Sequence, residues 1–515
     1  MSFNSVLFIF GFLPATVTGY YTIALSRLHW LRLPFLILAT VAFYARGSLQ
    51  FLILLLASVA ANYAVGTLIT RSKGFLARFW LGIGVIANLA VLIWFKYALF
   101  VTSNLNSIFD VEIKFEQVAL PLGISFYTFQ QIAFLVDTSR RQIEKPGLIN
   151  YFAFVLFFPQ LLAGPISLAR EIIPQMAVRP PWSTVPANIL IGLTIFGFGM
   201  FKKTVVADSA ALWAGPIFDG AAAGAAPGVL VAWGGALAYT LQIYFDFSGY
   251  SDMAIGVARM FGILLPLNFH SPLRSKSIID LWRRWHITLG RFVQTYFFQP
   301  IAITLARFCS DRGLGEGISV AVSTLLPTFL ALVIIGAWHG GNWTFILFGA
   351  MHGTFMVVNE GWNYFRKKRR KARVVPRWRN GLAGALTLLA FVAAAVPFRS
   401  ADVTTALRVW AGMAGLNVGP NTWNVWPVLT PLGAWGLYPL IGIGFLSVYL
   451  LPNTQQIMAK ITPALEWSKW RKVDQAIFGF EWQPTVSWSI AGGVVLMMGI
   501  IFVARGSTQF VYFAF

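Results

Sequence analysis

Apolar residues run along this chain in blocks long enough to cross a bilayer. A spanning helix needs about 20 predominantly apolar residues, because lipid satisfies none of its backbone N–H and C=O groups. The stretches 49–70, 79–101, 381–398, 431–452 and 485–504 meet that length outright. The stretches 4–24, 31–45, 186–206, 229–247, 317–337 and 343–362 are shorter or interrupted by Gly and polar residues. The pattern predicts an all-α polytopic membrane protein with roughly ten to twelve membrane segments. Composition agrees: 57% of the 515 residues are hydrophobic, 11% are charged and the mean hydropathy is +0.69. Soluble domains carry about 25% charged residues. No polar stretch is long enough to form a separate domain, so the chain reads as one membrane domain over 1–515. Within it, N-terminal helices fill 1–115, a core 116–365, a polybasic loop 366–380 and C-terminal helices 381–515.

Two segments break the pattern. FAFVLFFPQLLAGPI (152–166) is apolar but carries Pro159, Gly164 and Pro165, as broken or re-entrant helices do. PLNFHSPLRSKSIIDLWRRWHITLGRFVQTYFF (266–298) mixes large apolar side chains with arginines and predicts amphipathic helices at the inner interface or dipping into the protein.

Charge sets an orientation. The net charge is +21, and nine basic residues lie in RKKRRKARVVPRWR (366–379) directly after an apolar segment. Such clusters mark the cytoplasmic side and attract anionic lipid, so no nucleic-acid partner is implied. The loops 25–32, 71–78, 139–145 and 453–484 are also basic, whereas 102–116 carries Asp110, Glu112 and Glu116 against Lys114. This puts the N-terminus outside and reads the first segment, which has no basic start, as a retained helix. Lys202 and Lys203 fit poorly, near the expected outer end of their helix. The single cysteine, Cys309, in RFCSDR, reads as incidental to chemistry.

Among the five histidines, His339 ends a long apolar run in IIGAWHGGNWTFILFG, where an ionisable group needs a reason to be present. It can be a general base for an attacking hydroxyl, or a hydrogen-bonded core histidine. Gly340 and Gly341 would let a substrate approach, and Trp338 and Asn342 flank the position. His286 lies in DLWRRWHITLGR, where helical spacing predicts a face shared by Trp282, His286 and Leu289. Arg283 and Arg284 would point elsewhere, towards phosphate or carboxylate, with Trp285 beside them; an interfacial role for His286 stays open. His270 and His352 read as structural, although His352 could share His339's cavity if the chain turns back after 340. Asp246 and Asp252 in LQIYFDFSGYSDMAIG are intramembrane carboxylates, expected to pair with an arginine of 283–291. No P-loop, HExxH, GxSxG or zinc-spaced Cys/His set occurs, so no bound cofactor or metal is expected.

The stretches LPLGISFYTFQQIAFLVD (120–137), FFPQLLAGPI (157–166), YFDFSGYSDMAIG (244–256), LPLNFHSPLRSKSIIDLWRRWHITLGRF (265–292) and GAWHGGNWTFILFGAMHG (336–353), with PFRSAD (397–402) and FVYFAF (510–515), resemble the membrane-bound O-acyltransferase family. Within it the likeness is to the alginate O-acetyltransferase branch. The resemblance implies a ring of tilted helices around a central funnel, His339 as the family's essential histidine and His286 as a second. It further implies an acetyl donor on the cytoplasmic face, acetyl-CoA, and a bacterial inner-membrane location. The acetyl group would go to a periplasmic SGNH-hydrolase-like partner that esterifies an exported polysaccharide. Trp282, Arg283, Arg284, Trp285, Asp246, Trp338, Asn342 and His352 are then candidates for lining the funnel, which would open to the cytoplasm. D-alanyl transfer in a teichoic-acid pathway is the alternative within the family. A proton-relaying transporter would call for an inverted repeat, which the sequence does not show, and an inert scaffold in an export complex would leave the histidines idle.

Overall fold

The computed structural model describes residues 2–116, 118–367, 376–418, 433–503 and 510. Most of the polybasic run and of the terminal FVYFAF lie outside the described residues. The described residues are mostly helical, with no strand beyond one isolated β-bridge between Pro266 and Leu465. Among the described residues, seven helices are long and apolar enough to cross a membrane, and His29–Ala45 and Tyr438–Leu450 are shorter apolar ones. The chain is a multi-pass membrane protein. Two further long helices, Val229–Met260 and Trp343–Lys367, carry too much polar or charged sequence to count by apolarity alone.

Val229–Met260 is the hub. It runs for 32 residues and is buried along nearly its whole length. Helices in lipid associate by close packing rather than by expelling water, so small residues mark the contacts. Val185–Phe201 meets the hub in this way: a Cβ placed on Gly199 would come within 2.6 Å of the Gly249 carbonyl oxygen. The helix ends in a π-helical segment, Lys202–Ala207, which turns both lysines onto the hub. Lys203 Nζ lies 2.7 Å from Asp208 and 2.8 Å from Asp246, and Lys202 Nζ lies 2.6 Å from Asp252. Thr454 and Gln455 also donate to Asp252, each at 2.7 Å. The expected partners of Asp246 and Asp252 are therefore corrected: they are these two lysines, not the arginines of 283–291. Neutralisation by carboxylates also explains how two lysines sit inside the bundle.

Three helices, Leu49–Arg71, Gly74–Phe109 and Ile124–Ser139, pack against one another. Buried amides join them: Asn88 donates to Asn62 at 2.7 Å, and Asn62 bonds Gln131 in turn. Gly74–Phe109 has 36 residues and, at 1.5 Å per residue, extends about 54 Å, well beyond a hydrocarbon core of about 30 Å.

The segment 152–166 is broken, as its prolines predict. Leu148–Val155 stops, Phe157 is extended, and one further turn follows at Phe158–Leu161. Residues 153–163 are all buried, and Gln160 Nε2 donates to the Phe154 carbonyl at 2.6 Å. The segment 266–298 dips into the protein, the second of its two expected courses. Residues 265–275 form no long helix and are buried. Their charges are met internally: Arg284 bonds Asp280 and Asp474 at 2.9 and 2.7 Å, and Arg274 also reaches Asp474.

Candidate active site

His339 is the last residue of Leu326–His339. The chain reverses over Gly340–Asn342 and returns as Trp343–Lys367. The two helices touch at glycines: a Cβ on Gly336 would meet Gly349 Cα at 2.8 Å. Asn342 secures the reversal, its Oδ1 accepting from Thr344 N at 3.0 Å and its Nδ2 donating to the Ala401 carbonyl at 2.8 Å. Asn342 thus shapes the turn, and the cavity beside His339 is lined without it.

His339 is 4% exposed and packs edge-on against Phe398, with ring centroids 4.9 Å apart. The Trp338 indole packs against both histidines, 4.9 Å from the His339 ring and 6.1 Å from that of His286. Phe129 stacks on the same indole at 5.5 Å and fixes its plane.

His286 does not share a helix face with Trp282. Ile278–Arg284 ends, Trp285 is extended, and His286 starts Ile287–Val293 with φ 44° and ψ 54°. That left-handed conformation costs a non-glycine residue on the order of 1–3 kcal/mol and persists only where the surroundings over-determine it. Asn268 supplies much of that constraint. Its backbone oxygen accepts from Ile287 N at 2.9 Å, and its Oδ1 accepts from Thr288 Oγ1 at 2.8 Å and Thr288 N at 3.3 Å. Its Nδ2 donates to Ser251 Oγ on the hub at 3.0 Å. A backbone N–H can only donate, so the atom facing Thr288 is the amide oxygen. His286 Nδ1, 3.0 Å from that oxygen, therefore carries the proton and donates it, which leaves Nε2 as the basic atom.

The other candidates divide. Trp282 donates from Nε1 to His352 Nδ1 at 3.3 Å, and His352, fully buried, lies in an aromatic cage with Phe348 and Phe391. The chain does turn back after 340, yet His352 does not line the cavity at His339. Trp285 is buried against Phe269 and Phe391. Arg284 is held by carboxylates, Asp246 by Lys203, and only Arg283 of this cluster of charges faces open space. Among the described residues no group of three or more His, Cys, Asp or Glu side chains is placed to hold a metal ion.

Two cavities flank the histidines. One, of about 340 Å³, is lined by Trp338, His339 and Gly340, by the middle of Gly74–Phe109 and by the loop 118–123. The other, of about 580 Å³, is lined by Trp282, Arg283, Ile287, Arg291, Ile335 and Glu360 among others. His286 lines neither; its neighbours Ile287 and Gly290 border the second. His339 lines the first cavity. Two residues of this region are missing from the sequence reading, Asn268 and Lys96. Lys96 lines the first cavity and donates from Nζ to the Trp338 carbonyl at 2.5 Å.

Residues 81–393 match the family model described as MBOAT, membrane-bound O-acyltransferase family, and the chain belongs to that family of acyltransferases. It is 37% identical to a peptidoglycan O-acetyltransferase of Helicobacter pylori over 442 residues, 81% of this chain and 80% of that one. It is 36% identical to a probable alginate O-acetylase, AlgI, of Azotobacter vinelandii over 422 residues, 80% of this chain and 78% of the relative. A teichoic acid D-alanyltransferase of Streptococcus thermophilus is 26% identical over 270 residues, 50% of this chain and 61% of the relative.

Proposed function

We propose that this chain carries an acetyl group from a cytoplasmic thioester donor, acetyl-CoA, across the bacterial inner membrane for O-acetylation of an exported or cell-surface polysaccharide. The observation that carries the reading is the place of His339, buried at a helix end yet lining a cavity, with a second cavity along the same helix at Ile335. His339 takes the proton of the acceptor hydroxyl as that oxygen attacks the thioester carbonyl. General-base catalysis of this kind contributes about 10²–10⁴ in rate. His286, with Nε2 free of a proton, assists proton transfer or positions the donor. Relatives named as O-acetyltransferases match at 36–37% identity over about four-fifths of the chain, whereas those named as D-alanyltransferases match at 26–28% over about half, which favours acetyl over D-alanyl.

The two cavities suit two sides. The first opens beside the acidic loop 110–116, and the second contains Arg283 and Arg291, on the side towards which Trp343–Lys367 runs to its basic end. Positive charge marks the cytoplasm, so the second receives the donor, whose phosphates suit Arg283, and the first receives the acceptor. In this reading the cavity at His339 faces outwards. The acceptor there is the polymer or a hydroxyl of a periplasmic SGNH-hydrolase-like partner.

Purified full-length protein in nanodiscs should cleave acetyl-CoA and, with an acceptor polymer or partner, form an ester. Activity with a D-alanyl carrier thioester and none with acetyl-CoA would replace this reading. For the orientation, a Cys309→Ser background with Asp110→Cys should label from outside intact cells, and failure there with labelling from the cytoplasmic face would invert it.

A further inference from the structure

A lysine inside a membrane span calls for a reason, because lipid does not solvate its charge. Lys96 lies within the Gly74–Phe109 span, and among the described residues it and His339 are the ionisable ones lining the first cavity, with no Asp or Glu. Its Nζ is tied to Trp338 twice, by the hydrogen bond to the carbonyl at 2.5 Å and by its place 5.5 Å from the indole centroid. The next residue, Tyr97, donates from its hydroxyl to the Ala337 carbonyl at 2.8 Å. Adjacent residues thus grip the last carbonyls of the helix that ends at His339. The partial negative charge of that helix end, about half an elementary charge, offsets only part of the ammonium, and the bond to Trp338 uses one of its three protons.

We propose that Lys96 stabilises the negative charge that develops on the thioester carbonyl oxygen during acyl transfer. The inference rests on His339 serving as the base of the reaction proposed above. As the acceptor hydroxyl attacks, its proton passes to the His339 imidazole, a C–O bond forms, and the carbonyl π pair moves onto oxygen. The acyl end of the donor reaches the acceptor at His339, so the oxyanion forms beside Lys96, where an ammonium proton not used by Trp338 meets it. When the oxyanion collapses, the C=O bond re-forms, the C–S bond breaks, and the leaving thiolate takes the proton back from the imidazolium. A fixed donor aimed at developing charge in a site shielded from water needs no reorganisation at the moment of reaction. The lysine's own neutralisation at the helix end is incomplete until that charge appears.

The test uses the full-length protein in nanodiscs with acetyl-CoA as donor, measuring thioester cleavage with and without acceptor. Lys96→Met should lower kcat about 100-fold, the scale of losing one oxyanion donor, with the KM for acetyl-CoA within threefold and the melting temperature little changed. Cleavage with water as acceptor should fall equally, since the same oxyanion forms. Lys96→Arg should retain part of the lost rate. Tyr97→Phe, which loosens the same helix end without removing charge, should cost less than threefold. A kcat within threefold of the parent in Lys96→Met overturns the assignment. So does a higher acceptor KM at unchanged kcat, which makes Lys96 an acceptor-recognition residue. An equal loss in Tyr97→Phe makes it a structural clamp. If the parent protein itself does not cleave acetyl-CoA, the donor reading fails first, and that result is distinct from these.

Discussion

Asn268 Oδ1 accepts the Nδ1 proton of His286 at 3.0 Å, in a residue whose backbone stands at φ 44°. One amide therefore sets both which ring nitrogen is basic and where the ring points. A chemical role for His286 can be separated from a structural one through this geometry. His286→Gly removes the imidazole but suits the left-handed backbone, whereas His286→Ala removes it and keeps the strain. The glycine variant should be the more stable by about 1 kcal/mol, and both should lose acyl transfer. A glycine variant that keeps normal transfer would take His286 out of the chemistry. Asn268→Ala should lower transfer at least tenfold while the imidazole is still present, because the tautomer is no longer fixed.

Lys203 is 2% exposed and holds two carboxylates. Removing one partner of a buried ionic group leaves charge uncompensated and costs about 3–5 kcal/mol. Lys203→Met should therefore lower the melting temperature sharply in detergent, and Lys203→Met combined with Asp246→Asn should recover part of the loss. An unchanged melting temperature in the single variant would show that this network does not brace the bundle.

Asp402 caps the helix Val403–Met413, its Oδ1 accepting from Thr405 N at 2.7 Å. That backbone N–H holds the carboxyl below its ordinary 3.8. A depressed carboxylate contributes stability that is complete above its ordinary value and is lost as the pH falls through the lowered one. Asp402→Ala should cost about 1 kcal/mol at pH 7. The difference in melting temperature between parent and variant should shrink as the pH falls below 3.8; a gap that widens in acid would contradict the cap.

Much of this architecture is legible in the sequence because lipid imposes a length on every span. The break at 152–166 is announced by Pro159, Gly164 and Pro165. His339 stands out because it closes an apolar run and is followed by two glycines. The face shared by Trp282 and His286 fails for a local reason: nothing in LWRRWHIT, neither Gly nor Pro, marks the extended Trp285 or the left-handed His286. The partners of Asp246 and Asp252 are missed because a π-helical segment redirects Lys202 and Lys203, and no periodicity encodes that. Asn268 gives no sequence signal, since its bonds are set by tertiary placement alone. Lys96 was within reach, being a charged residue inside one of the clearest apolar spans.

The central claim is that His339 is the base of acyl transfer, and ester-linked acetate on exported polysaccharide measures it most directly. In cells producing His339→Ala at the parental membrane level, the account predicts acetate at background, a loss of at least 100-fold. Near-normal acetylation by that variant would contradict it.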